Sequence, residues 1–195
     1  MGAMSDTRGS GRPAALHGGC PSCGSTGRPV KPVTIECLVV EAARVRVGGA
    51  DGFRFCAEPS CEVAYFRPEA GIRILRSEVR VCIGQKETEA PRPICYCFEH
   101  TIEAIEAEVA ATGSSTVAEQ IVAKCRQGLD RCEETNPEGA CCLGRVRRAI
   151  EEAQARTAAK SVAIVVAGVE VEAERGCALG TAPGTRPPRQ RNTEC

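Results

Sequence analysis

The chain has no tryptophan, two tyrosines and four phenylalanines in 195 residues, an aromatic share of 3%. A core built around large rings is therefore excluded. Histidine is scarce, with only His17 and His100, so imidazole-rich metal sites are excluded too. No apolar run reaches the length needed to span a bilayer. Neither charge sign is in excess: 25 basic residues balance 25 acidic ones. Broad electrostatic attraction to nucleic acid is not expected from that balance. No nucleophile–base constellation, phosphate-binding loop or open-site metal motif stands out, so an enzyme is not expected.

Cysteine is what the chain has in quantity, at 14 residues. A small module short of core material relies on disulfides or metals. Residues 1–19 are mostly Gly, Ser, Arg, Pro and Ala, with no apolar stretch of signal-peptide type, and read as a disordered leader. Met1-Gly2-Ala3-Met4 reads as an artificial start ahead of a native Met4. A cytoplasmic location follows as the expectation, where thiols stay reduced and clustered cysteines bind metal.

The cysteines fall into two sets. Upstream, Cys20-x2-Cys23 is a knuckle spacing, in which two thiolates reach one ion from a tight turn. Cys56-x4-Cys61 supplies a second half-site. Together, Cys20, Cys23, Cys56 and Cys61 are expected to hold one structural zinc ion with no open position. Downstream, Cys95-Tyr96-Cys97 is followed by Cys132 and, after Asn136-Pro137-Glu138-Gly139, by Cys141-Cys142. Four converging thiolates there suit a [2Fe–2S] cluster, with a second zinc as the alternative. Five sulfurs stand for four positions, and spacing does not choose between Cys141 and Cys142. Helices starting near Thr101 and Leu143 would offer N-terminal N–H groups to the negative cluster, and Gly139 would permit close backbone approach.

Periodicity places these motifs. Residues 20–90 read as a small antiparallel β-module. Val33, Ile35, Cys37 and Val39 alternate, Val45 and Val47 continue, Asp51-Gly52 signals a hairpin, and Ile72/Ile74 and Val79/Val81/Ile83 alternate again. Cys37 reads as a core residue of such a strand. Pro91-Arg92-Pro93 marks a stiff boundary. Residues 91–158 read as helical: Ile102, Ile105 and Val109 on a first helix ended by Gly113, and a second with a Thr116/Glu119 capping box, carrying Val117, Ile121 and Cys125. A third runs from about Leu143 to Ala158. Residues 161–173 read as one or two strands of a short β-like extension, and the end of the chain as a disordered tail carrying Cys177 and Cys195. The fold class is α+β.

These motifs resemble those of the N-terminal half of archaeal-type CopZ copper chaperones, whose cluster half is similar to bacterioferritin-associated ferredoxin. The resemblance rests on Cys20-Pro21-Ser22-Cys23, on Phe55-Cys56-x4-Cys61-Glu62-Val63-x-Tyr65-Phe66, and on the Cys95-to-Cys142 pattern, and covers roughly residues 20–150. It implies zinc in the upstream set and a [2Fe–2S] cluster held by Cys95, Cys97, Cys132 and Cys142, with Cys141 as a neighbour. The Met-x-Cys-x-x-Cys loop of the copper-binding domain in full-length members is not in this chain. The expected function is a one-electron carrier or redox component of copper or other soft-metal handling, with a redox or metal-trafficking protein as partner. The alternatives are a metallochaperone binding Cu(I) through non-cluster cysteines such as Cys82, Cys141 or Cys177, and a two-zinc adaptor or regulator. His100 would tune the cluster without ligating it.

Overall fold

A computed structural model describes the backbone of residues 18–173 and the side chains of residues 18–160. Residues 1–17 of the expected leader, with His17, and the tail with Cys177 and Cys195, lie outside the described residues. Of the described residues, 18–157 belong to one compact unit and 158–173 to a second.

The chain opens with β1 (Arg28–Pro29), α1 (Pro32–Leu38), α2 (Glu41–Val47), β2 (Arg54–Phe55), β3 (Val63–Arg67) and β4 (Ile72–Leu75). The four strands form an antiparallel sheet in the order β1-β2-β3-β4, with a bulge between Val63 and Tyr65. The module is antiparallel, as the sequence indicates, but two of its expected strands are helices. Pro32 at the first helical turn starts α1, because its missing N–H would have no partner there. Ile35, Leu38 and Val39 are buried at helical spacing, while Cys37 is exposed rather than in the core. In α2, Ala43 and Val47 are buried four residues apart, Glu41 and Arg44/Arg46 match the helix dipole, and Gly48 closes the helix at φ 63°. Both segments are only seven residues long, so their apolar positions fit period 2 and period 3.6 alike. Val79 makes one bridge to Val39, and the 79–83 stretch forms no strand, being flanked by 3-10 turns at Arg76–Glu78 and Gly84–Lys86.

A hairpin of β5 (Pro93–Cys95) and β6 (His100–Thr101) begins the second half. Then come α3 (Ile102–Thr112), α4 (Val117–Arg126), a one-turn α5 (Cys132–Thr135) and α6 (Leu143–Ala173). Thr101 caps α3 by accepting from the Ala104 N–H, and Gly113 ends it at φ 81°. The Thr116/Glu119 capping box does not form. Instead, the Glu108 carboxylate accepts from the Ser115 and Thr116 hydroxyls and the Thr116 N–H, and the Ser115 hydroxyl accepts from Val117 N–H. A carboxylate from the preceding helix thus does the work expected of Glu119. Residues 161–173 continue α6 instead of forming strands. Once the Glu151–Lys160 run has nucleated the helix, each added residue gains a backbone bond. The helix penalty of the valines that follow is small by comparison.

Two hydrophobic clusters lie on either side of the expected boundary at residue 90. The first joins α1 and α2 to the sheet through Ile35, Val39, Phe53, Phe55 and Tyr65. The second joins α3, α4 and α6 through Ile105, Val109, Ile121 and Val146. Polar contacts tie the halves together: Thr34 Oγ1 donates to the Glu133 carbonyl at 2.7 Å, Lys31 pairs with Glu133, and Arg145 reaches Gln85 at 3.1 Å.

Candidate metal centres

The upstream cysteines come from three turns around the sheet. Cys20 and Cys23 share a tight turn closed by Gly24 N–H on the Cys20 carbonyl at 2.8 Å and by Cys20 N–H on the Ser25 carbonyl at 2.7 Å. Cys56 follows β2, its N–H held by the Ala64 carbonyl of β3. Cys61 sits just before β3. The four sulfurs all lie within 4.8 Å of one another. Cys23 and Cys56 are 3.5 Å apart and Cys20 and Cys61 3.9 Å. Thiolates on a tetrahedral zinc, with bonds near 2.3 Å, stand about 3.8 Å apart, so this donor set fits a zinc ion. Cys20, Cys56 and Cys61 are buried against Val63 and Phe66, whereas Cys23 faces solvent.

Burial pushes the Cys20 thiol up to about 12 and raises Cys56 as well. At Cys23 partial burial works in the same direction, but donors from Ser25 outweigh it and bring the thiol down to about 7. Loading this site with a cation must therefore release protons from the buried thiols. A residue that sequence reading misses stands beside it. Lys86 is buried, 4% exposed, and donates to the carbonyls of Glu58 at 2.6 Å and Cys61 at 2.9 Å. Its charge acts on Cys56.

The downstream cysteines meet in a different pattern. Cys97 and Cys132 bring their sulfurs to 3.7 Å, on the Cys95–His100 loop and at the start of α5. Cys95 and Cys142 form the other pair. The Cys142 contact lowers the Cys95 thiol to about 7, and the same contact, together with burial, drives the Cys142 thiol upward. Burial, followed by the nearby Cys97 thiol, raises Cys132 to about 12. Among the described residues, only the upstream four gather tightly enough to share one ion. Two separate pairs suit a binuclear cluster, which takes two thiolates on each iron. Cys95 and Cys142 are buried and Cys141 is exposed.

The chain supplies a donor to this site. Arg131 N–H points at the Cys97 sulfur at 3.3 Å; the Thr135 oxygen lies 3.2 Å from that sulfur, with its proton on the Arg131 carbonyl at 2.9 Å. The Cys142 carbonyl accepts from the third and fourth amides of α6, those of Arg145 and Val146. Gly139 makes its close approach elsewhere than at the cysteines. It takes φ 61°, and a side chain there would meet Thr34 Oγ1 of α1 at 2.8 Å. The turn from β5 to β6, which carries Cys97, is closed by Glu99 at φ 58°. A recess of about 370 Å³ opens beside Cys132 and Cys141.

Comparison with known proteins bears on the fold and on the upstream set. The CopZ family model described as "Zinc binding domain" covers residues 17–80. The copper chaperone CopZ of Archaeoglobus fulgidus is 34% identical over 129 residues, which are 66% of this chain and 60% of that protein. The X-ray structure of the Archaeoglobus fulgidus CopZ N-terminal domain superposes with a TM-score of 0.54 at 34% identity, covering 67% of this chain and 95% of that domain. The chain belongs to the family of CopZ N-terminal modules. It spans about 60% of the length of the chaperone it matches.

In this CopZ-type module His100 lies on β6 opposite Cys95, and its buried Nε2 has no hydrogen-bond partner among the described residues. Burial, then the nearby Lys124 ammonium, lowers its pKa. Cys82 is exposed and Cys125 half-buried. No helix among the described residues is long and apolar enough to cross a membrane.

Proposed function

We propose that this chain is a copper or soft-metal handling protein in which Cys20, Cys23, Cys56 and Cys61 hold a structural zinc ion. Cys95, Cys97, Cys132 and Cys142 hold a [2Fe–2S] cluster that gives the protein one-electron capacity. Soft-metal handling is supported by kinship with a copper chaperone. The cluster assignment is supported by one observation, the approach of the Cys97 and Cys132 sulfurs to 3.7 Å beside a helical core that buries Cys95 and Cys142. The chain's own part is to present thiolates, to point the Arg131 N–H at Cys97, and to keep Cys95 and Cys142 away from water. When bound, the cluster would supply reversible one-electron transfer, and its protein partner would be a redox or metal-trafficking component. The expected compartment is the cytoplasm, where the thiols stay reduced.

A second reading has its own support. Kinship with a copper chaperone bears directly on Cu(I) binding, and Cys82 and Cys141 are exposed soft donors outside the two four-sulfur sets. Metal and sulfide analysis of anaerobically purified protein tests the first reading. About two irons, two sulfides and one zinc per chain support it, and a colourless protein with two zincs overturns it. Anaerobic Cu(I) titration tests the second: tight stoichiometric uptake without loss of the visible spectrum supports a metallochaperone.

A further inference from the structure

Lys86 ends the 3-10 turn Gly84–Lys86 and is 4% exposed. Burying an ammonium costs several kcal/mol unless a counter-charge offsets it. Its two hydrogen bonds go to neutral carbonyls, those of Glu58 and Cys61. Among the described residues no carboxylate pairs with it. Acidic side chains of the adjoining segments are engaged elsewhere: Glu58 with Ser60, and Glu62 and Glu87 with Arg76. What does lie beside it is the four-thiolate set, since Cys61 carries one of the accepting carbonyls and its sulfur lies within 4.8 Å of the other three. Four thiolates on one Zn²⁺ leave a net charge of about −2.

The geometry points to Lys86 as the counter-charge of the zinc site, a positioning residue that holds the Glu58–Cys61 loop while offsetting the excess thiolate charge. This inference rests on the zinc reading of the upstream cysteines. The same turn also continues to the other centre. Gly84 N–H donates to the Tyr96 hydroxyl at 3.0 Å, and that hydroxyl donates to the Cys82 carbonyl at 3.0 Å. The segment bearing the ammonium is therefore fixed at its far end by the residue between Cys95 and Cys97.

Three variants of the full chain separate charge from hydrogen bonding. Lys86→Arg keeps the charge, Lys86→Gln keeps one donor group without charge, and Lys86→Met keeps neither. Each is loaded with one zinc and titrated with a chromophoric chelator. Zinc affinity is expected to fall at least about tenfold in Lys86→Gln and Lys86→Met, and to be largely kept in Lys86→Arg. If the Gln variant does not fold, the near-isosteric Met variant against the Arg variant carries the same reading. Zinc affinity in the uncharged variants equal to wild type overturns the counter-charge role, and so does an affinity kept in Lys86→Gln but lost in Lys86→Met. Wild-type protein that holds no zinc overturns the zinc reading itself, a result distinguishable because it needs no variant.

Discussion

The Tyr65 hydroxyl donates a 2.9 Å hydrogen bond to the Pro137 carbonyl. Tyr65 lies on β3, four residues beyond Cys61, with its ring edge-on to Phe55 at 5.7 Å. Pro137 belongs to the loop between α5 and α6 that delivers Cys142. One buried side chain thus connects the strand behind the upstream cysteine set to the loop carrying Cys142 of the downstream set. Burial raises the Tyr65 pKa, so the hydroxyl stays protonated and donating.

Tyr65→Phe removes the donor and leaves the Pro137 carbonyl unpaired in a buried setting. The expected cost is about 1–3 kcal/mol, read from the midpoint of denaturant unfolding. The ring packing with Phe55 is retained, so far-UV circular dichroism should match wild type. An unchanged midpoint would mean that water replaces the hydroxyl and that the two halves do not depend on this bond.

Gly84→Ala tests the other connection. Its backbone is not in the left-handed region, so the argument is one of space: a Cβ there would overlap the Pro93 carbonyl oxygen of β5. A backbone atom cannot swing aside as a side-chain tip can. The substitution should destabilise by about 1–3 kcal/mol. It should also speed alkylation of Cys95 in metal-free protein, because β5 must move. Thermal melting and mass-resolved thiol labelling check both outcomes.

The gathering of Cys20, Cys23, Cys56 and Cys61 was foreshadowed by local spacing, because Cys20-x2-Cys23 places two sulfurs on one turn. Helix α3 was legible for the same reason, with three apolar positions at helical spacing and Gly113 at its end. Helices α1 and α2 were not, since seven residues of mixed apolar character satisfy both periods and only packing on the sheet decides. The Val-rich stretch from residue 161 misled because β-branched side chains suggest strand, while the preceding helix imposes its own continuation. Lys86 gave no signal at all. In Gly84-Gln85-Lys86-Glu87 it looks like any solvated turn, and only the tertiary fold puts it under the Cys61 loop.

The choice between Cys141 and Cys142 was open from spacing, and burial now separates them. Cys142 is 2% exposed and paired with Cys95, while Cys141 faces solvent. Cys142→Ser should abolish most iron and sulfide binding in anaerobic reconstitution, and Cys141→Ser should leave the stoichiometry within error of wild type. The reverse result would require the loop after Gly139 to turn over and expose the Cys142 side chain.

Glu103 offers a pH test with a definite sign. Partial burial alone would raise its pKa, but the Arg92 N–H at 3.0 Å and guanidinium at 2.6 Å outweigh that and hold the carboxyl at about 2. A folded-state pKa below the unfolded value means stability that is full above about 4.3 and is lost as pH falls through about 2. Both partners are about a third exposed, with side-chain exposures of 29% and 31%, so screening limits the contribution to about 1 kcal/mol. The stability gap between wild type and Glu103→Gln should therefore be level from pH 7 to about pH 4.5 and close toward pH 2. Both chains lose thiolate-bound metal alike on acidification, so the difference isolates the carboxylate. A gap that widens in acid would show that Glu103 is stabilised in its protonated form, and that Arg92 does not anchor the start of β5 to α3 through charge.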